Sequence, residues 1–146
     1  MRVSRFVPND YPLPAGKESV DKYKIFASYA YGTGSFGEKG ANLILGEPLQ
    51  ICTETFLQIG NFDTEFEAQS FIKYYKTKFF RAMVGILKVT QHSTTTYGYV
   101  PLQDFTAESD IDWSQSIADI DQQLYQKYGL DQTEIDFIET KVKPMD

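Results

Sequence analysis

The run from Asp63 to Val89 constrains the fold of this chain more than any other. Thr64 and Glu67 stand at capping-box spacing, where each side chain satisfies a free backbone donor at a helix start. The pattern that follows predicts one helix of about 26 residues, near 39 Å long at 1.5 Å per residue. At about 100° per residue, Ala68, Phe71, Ile72, Tyr75, Phe79, Met83 and Ile86 form an apolar stripe. Lys73, Arg81 and Lys88 fall on the opposite side, with Lys76 and Lys78 at its flanks. The first half is thus an ordinary amphipathic helix. In the second half Phe80, Val84 and Leu87 are apolar on the face away from the stripe. A helix that is apolar all round is buried on both sides. Either the rest of the domain wraps this half or a partner docks on it.

The flanking sequence supplies material for a sheet. Lys22–Tyr31 and Gln50–Gly60 alternate apolar and polar residues and read as strands. Tyr97–Val100 is a shorter strand candidate, closed by Pro101. Between the first two lies GTGSFGEKG, whose glycine spacing fits neither GxGxxG before a helix nor GxxxxGK[ST], so it reads as a surface loop. Residues 1–22, with Pro8, Pro12, Pro14 and Gly16, read as an extended lead-in or linker. Near the other end, Ile120–Tyr128 predicts a short helix stopped at Gly129. Asp131 and Glu134 form a second capping box, Leu130 and Ile135 a hydrophobic staple, and Lys141 and Lys143 complement the end of a last helix. The expected architecture is α+β: a small mixed, mainly antiparallel sheet of about three to five strands, packed on the long helix and closed by short C-terminal helices. Residues 23–146 are read as a single domain of this kind, in line with a length of 146 residues.

The charge is unevenly spread. The formal net charge is −6, which argues against a simple nucleic-acid binder. Eleven acids lie from Asp104 onward, opposed only by Lys127, Lys141 and Lys143, leaving residues 1–103 with eleven bases and nine acids. The overall acidity therefore comes from the tail region, and the local field of the middle segment can still be positive. Cys52 is the only cysteine, so no internal disulfide or cysteine-based zinc site forms; a buried, inert thiol is expected. No apolar run approaches the length needed to span a membrane and no apolar signal region stands at the N-terminus, so a cytoplasmic location is expected.

Catalytic patterns are missing. Glu139-Thr140-Lys141 has the ExK spacing of some nucleases but falls in the last helix, where a solvated face is the simpler reading. Asn9-Asp10-Tyr11-Pro12 lacks the adjacent prolines of a methyltransferase tetrapeptide, and no glycine-rich cofactor turn follows a strand. His92, the only histidine, has Thr and Ser neighbours and no nearby acid to orient it as a general base. No catalytic residue, metal site or cofactor is expected.

An ordered series of segments carries a resemblance. It comprises Cys52-Thr53-Glu54-Thr55-Phe56, Ile59-Gly60-Asn61-Phe62-Asp63, Tyr75-Lys76-Thr77-Lys78-Phe79-Phe80-Arg81 and Thr90-Gln91-His92. It continues with Val100-Pro101-Leu102-Gln103-Asp104-Phe105, Leu124-Tyr125-Gln126-Lys127-Tyr128-Gly129-Leu130 and Ile135-Asp136-Phe137-Ile138-Glu139. This series resembles the C-terminal region of bacterial adenine-specific DNA methyltransferases and combined type II restriction–modification enzymes, over most of residues 23–145. Asn61 stands where that family often has proline. The resemblance implies a non-catalytic target-recognition portion that binds double-stranded DNA. Its partner would be a methyltransferase or restriction domain, in cis or in trans, that carries the cofactor and the chemistry.

The residues themselves point the same way. Lys73, Lys76, Lys78, Arg81 and Lys88 are candidates to neutralise phosphates, against the plain alternative of a solvated helical face. Gln91, His92, Thr94, Thr95, Thr96 and Tyr97 are candidates to reach base edges, since Gln pairs with adenine and Thr contacts the thymine methyl. A second reading, from another class, is a protein-interaction module that docks the apolar back of the helix onto a methyltransferase or nuclease partner.

Overall fold

A computed structural model of the chain describes residues 3–87 and 97–146. The fold is α+β: three antiparallel strands and, among the described residues, four α-helices. The strands are β1 (Tyr23–Ser28), β2 (Leu43–Gly46) and β3 (Phe56–Phe62), in the order β2-β1-β3. The helices are α1 (Glu65–Lys76), α2 (Lys78–Leu87), α3 (Ile117–Lys127) and α4 (Gln132–Lys141). Short 3-10 turns cover Lys17–Ser19 and Tyr97–Tyr99. The second of these stands where the alternation predicts a strand, and the sheet is wholly antiparallel rather than mixed. The strand expected from Gln50 begins only at Phe56, because Thr53–Phe56 close a turn with a bond from Phe56 N to Thr53 O at 3.1 Å. Cys52 therefore lies outside the sheet, half-buried, with burial raising its thiol pKa.

The central strand is buried on both faces. Ile25 and Ala27 point to the helices and are fully buried, whereas Lys24 and Phe26 are buried on the other face. Lys24 carries a charge into that face, yet its three donors are matched. Nζ donates to the carbonyls of Val20, Glu47 and Gln50, each at 3.1 Å. Burial lowers its pKa, with Asp21 and then Cys52 acting against that. The register Tyr23↔Phe62 and Ile25↔Ile59 leaves two β3 residues opposite Lys24, which is a β-bulge. Gly60 occupies it at φ 75, a left-handed value that suits a residue without Cβ.

The core is largely aromatic. Tyr74 meets Phe80 at 5.1 Å and 81°, Phe71 meets Phe105 at 5.5 Å and 78°, and Phe105 meets Trp113 at 5.3 Å. The first two are edge-to-face, and pairs of this kind contribute about 0.5–1.5 kcal/mol each beyond area burial. Polar ends of the same residues are tied to backbone. Tyr74 Oη donates to Pro101 O at 2.7 Å, and Trp113 Nε1 donates to Asp104 O at 2.8 Å. Gln103 joins two segments: its Nε2 donates to Tyr128 Oη at 2.7 Å, and its Oε1 accepts from Lys127 Nζ at 2.9 Å. The VPLQDF and LYQKYGL segments thus meet inside one packed unit.

The single long helix is not what forms. Thr77, at φ −61 and ψ 152, is extended and separates α1 from α2. The cause is a cap built from elsewhere in the chain. Asp121 of α3 is buried, and its carboxylate accepts from Lys78 N at 2.9 Å and Phe79 N at 2.8 Å. Thr77 Oγ1 accepts from Phe80 N at 3.1 Å and donates to Tyr74 O at 2.6 Å. A fresh helix start is therefore fully served at this elbow, which offsets the backbone bonds lost by breaking the helix. The break resets the helical phase. Ile86, expected in the core stripe, is 65% exposed, and Arg81, expected on the solvent side, is 5% exposed. Phe80 and Val84 are both buried, as an all-round apolar helix requires.

Candidate nucleic-acid interface

The candidate phosphate contacts sit on the two helices that meet at Thr77, and most have internal partners. Lys73 Nζ donates to the carbonyls of Trp113 at 2.8 Å, Ser114 at 3.3 Å and Gln115 at 2.9 Å, tying α1 to the approach of α3. Lys78 pairs with Glu139 of α4, Nζ to Oε2 at 2.5 Å and to the main-chain carbonyl at 3.1 Å. Lys76 is half-buried near the end of α1.

Arg81 is the clearest departure from a free cation. Its Nη1 donates to the carbonyls of Lys143 and, at 3.5 Å, Glu38; its Nη2 donates to Lys76 O at 3.2 Å. It thereby ties the glycine loop, the end of α1 and the C-terminal segment to α2. Burial lowers its pKa, while Asp121 first, and then Tyr75, Tyr31 and Tyr125, act to raise it. A guanidinium so placed cannot reach a phosphate in solvent, so the expectation that Arg81 faces out is overturned. The reason is the reset of phase at Thr77.

Tyr97 returns the chain to the core. Its ring lies 6.1 Å from that of Tyr75 and 5.9 Å from that of Phe80, and the Tyr97 and Tyr75 hydroxyls are 3.2 Å apart. Lys88, Gln91, His92, Thr94, Thr95 and Thr96 lie outside the described residues. On either side of them in the sequence, Leu87 ends α2 and Tyr97 is anchored on α1 and α2.

The glycine loop packs against the same helix. Its Glu38 carboxylate accepts from Thr33 N at 2.8 Å and Gly34 N at 3.2 Å, closing the loop on itself. At Gly37, φ 74, an added Cβ would stand 2.1 Å from the carbonyl oxygen of Lys141. Only glycine lets the loop lie so close to the end of α4, and Lys143 N then donates to Gly37 O at 3.0 Å.

Asp121 is the organising residue that the spacing arguments do not single out. Burial raises its pKa to about 6, against the N–H groups of Phe79 and Lys78, with Glu139 adding to the rise and Arg81 opposing it. One signal for it exists in the sequence. In α3, Ile117, Ile120, Leu124 and Tyr125 mark the inner stripe, and Asp121 stands on that stripe rather than off it.

Among the described residues no three His, Cys, Asp or Glu side chains come together as a metal site, and no helix is long and apolar enough to cross a membrane. No family model, curated protein or solved structure gives a significant match to this chain.

Proposed function

We propose that this chain is the non-catalytic DNA target-recognition part of a restriction–modification enzyme and acts with an adenine-specific methyltransferase or restriction domain. The reading rests on the ordered resemblance of its segments to that family. One observation carries it further. In the sequence the polar tract with Lys88, Gln91, His92, Thr94, Thr95 and Thr96 lies between the end of α2 and Tyr97, and both of these ends belong to a core that Asp121 and Arg81 brace. A base-reading element needs such a rigid support, because phosphate contacts position and base contacts specify. With Lys73, Lys78 and Arg81 held internally, Lys76 and Lys88 are the cations assigned to phosphate contact.

The test is a salt titration of duplex binding by fluorescence anisotropy. Wild type should bind non-specific duplex with a Kd of roughly 10⁻⁴–10⁻⁶ M at physiological salt. Replacing Lys76 and Lys88 with alanine should weaken binding to all duplexes and reduce the salt slope by about 1 for each phosphate no longer neutralised. Replacing Gln91 or His92 should instead alter preference between sequences. Methyl transfer from labelled AdoMet by the pure chain would contradict the non-catalytic part of the reading. Affinity and preference unchanged in both sets would reject this surface and favour the second reading, a docking module. For that second reading, Phe80 and Val84 of the expected docking strip are buried, so it draws instead on the exposure of Ile86, Tyr99 and Leu102 (65, 74 and 89%), on either side of the tract in sequence, since exposed apolar groups often mark protein contacts.

A further inference from the structure

Arg81 gathers three lysines that the sequence scatters. Its guanidinium holds the main-chain carbonyls of Glu38, Lys76 and Lys143, which lie 43, 5 and 62 residues away along the chain. The Glu38 carbonyl shares a peptide unit with the Lys39 nitrogen, so the backbones of Lys39, Lys76 and Lys143 converge on one planar group. Lys143 N also donates to Gly37 O at 3.0 Å, which ties two of the three segments directly. Lys39 and Lys143 are exposed and Lys76 is half-buried. Among the described residues none of these three side chains has a hydrogen-bond or ion-pair partner.

The acids around this joint are engaged elsewhere. The Glu38 carboxylate accepts from Thr33 N and Gly34 N, and Glu139 pairs with Lys78. Asp121 is buried on the N–H groups of Lys78 and Phe79. Asp146, exposed beyond Lys143, pairs with none of the three lysines among the described residues. Cations drawn to one region without counter-charges raise the local positive potential. An ammonium on a flexible four-carbon stem meets phosphate as a point charge. Three such stems, rooted in three segments, suit successive phosphates of an extended backbone rather than one enclosed anion.

We propose that Lys39, Lys76 and Lys143 form one surface that takes the phosphate backbone of double-stranded DNA, with Arg81 as the residue that positions them. The identity of the polyanion rests on the DNA-binding reading above. The surface adds Lys39 and Lys143, which helical periodicity does not pick out, and gives Arg81 a role inside the fold in place of a phosphate contact.

The test is a salt titration of duplex binding by the whole chain carrying Lys39→Gln and Lys143→Gln together. Glutamine keeps most of the stem and removes the charge. Neither lysine holds a partner, so the urea midpoint of unfolding should match wild type; a lowered midpoint would contradict the free side chains on which the inference stands. The slope of log K against log salt should become shallower by about 2, one for each phosphate no longer neutralised, whatever the duplex sequence. Adding Lys76→Gln should remove about 1 more. Wild-type affinity and slope in the double variant, with duplex still bound, would overturn the inference and leave the DNA reading standing. A wild-type chain that binds no duplex would overturn both. Tighter wild-type binding to phosphatidylserine vesicles than to duplex, lost in the double variant, would overturn the inference by assigning the surface to lipid headgroups.

Discussion

Replacing Asp121 with Asn should abolish the pH dependence that this one carboxyl imposes on the fold. Asp121 is 2% exposed and its pKa stands at about 6 in place of an ordinary 3.8. The groups facing it are Lys78 N and Phe79 N at the start of α2, Arg81 one turn on, Tyr125 on its own helix and Glu139 of α4. The folded state therefore holds the proton more tightly than the unfolded chain does. Between about pH 4 and pH 6 the folded chain binds one proton that the unfolded chain lacks, so stability falls as pH rises through that window and is level above it. The shift of about two units, at 1.36 kcal/mol each, amounts to about 3 kcal/mol. Asparagine mimics the protonated acid: its carbonyl accepts one of the two N–H groups at every pH. Relative to wild type, Asp121→Asn should thus gain about 3 kcal/mol between about pH 4 and pH 7. Asp104, held low by the Thr106 N–H, and Asp112, held low by the Ser114 hydroxyl, act in the opposite sense but are common to both proteins. Urea titrations read by Trp113, the only tryptophan and a buried one, supply the stabilities at each pH. A flat difference curve would refute the reasoning. So would wild type gaining on the variant as pH rises, which would mean that the two N–H donors outweigh burial.

Two further changes probe the same joint. Arg81→Ala strips three carbonyls of their donor and leaves Asp121 without its neighbouring cation, so it should cost about 3–5 kcal/mol, whereas Lys76→Ala should cost about 1 kcal/mol or less. Equal costs in urea titrations would return Arg81 to the solvent face. Gly37→Ala must place a Cβ 2.1 Å from the Lys141 carbonyl at φ 74, so it should lose more than about 1 kcal/mol. Amide exchange at Lys143, whose N–H depends on Gly37 O, should speed up in that variant, and unchanged protection would contradict the packing.

What was legible in the sequence was what nearby residues decide. The capping boxes Thr64–Glu67 and Asp131–Glu134 form as their spacing predicts, because donor and acceptor lie three residues apart on a chain already turning. Gly129 at φ 64 ends α3 for the same local reason, and the alternation of Tyr23–Ser28 places β1. The α+β class followed from these elements. The elbow at Thr77 did not, since by pattern alone the apolar stripe runs through it unbroken. The carboxylate that caps α2 comes from 43 residues away, and the carbonyl that holds Arg81 from 62. Chain proximity says nothing about such pairs; only packing α3 and the C-terminal segment against α2 creates them. Side-chain type therefore settled where helices begin and which residues carry charge. Tertiary structure decided which of those charges are spent inside the fold, because a buried charge must find its partners wherever the packed chain provides them.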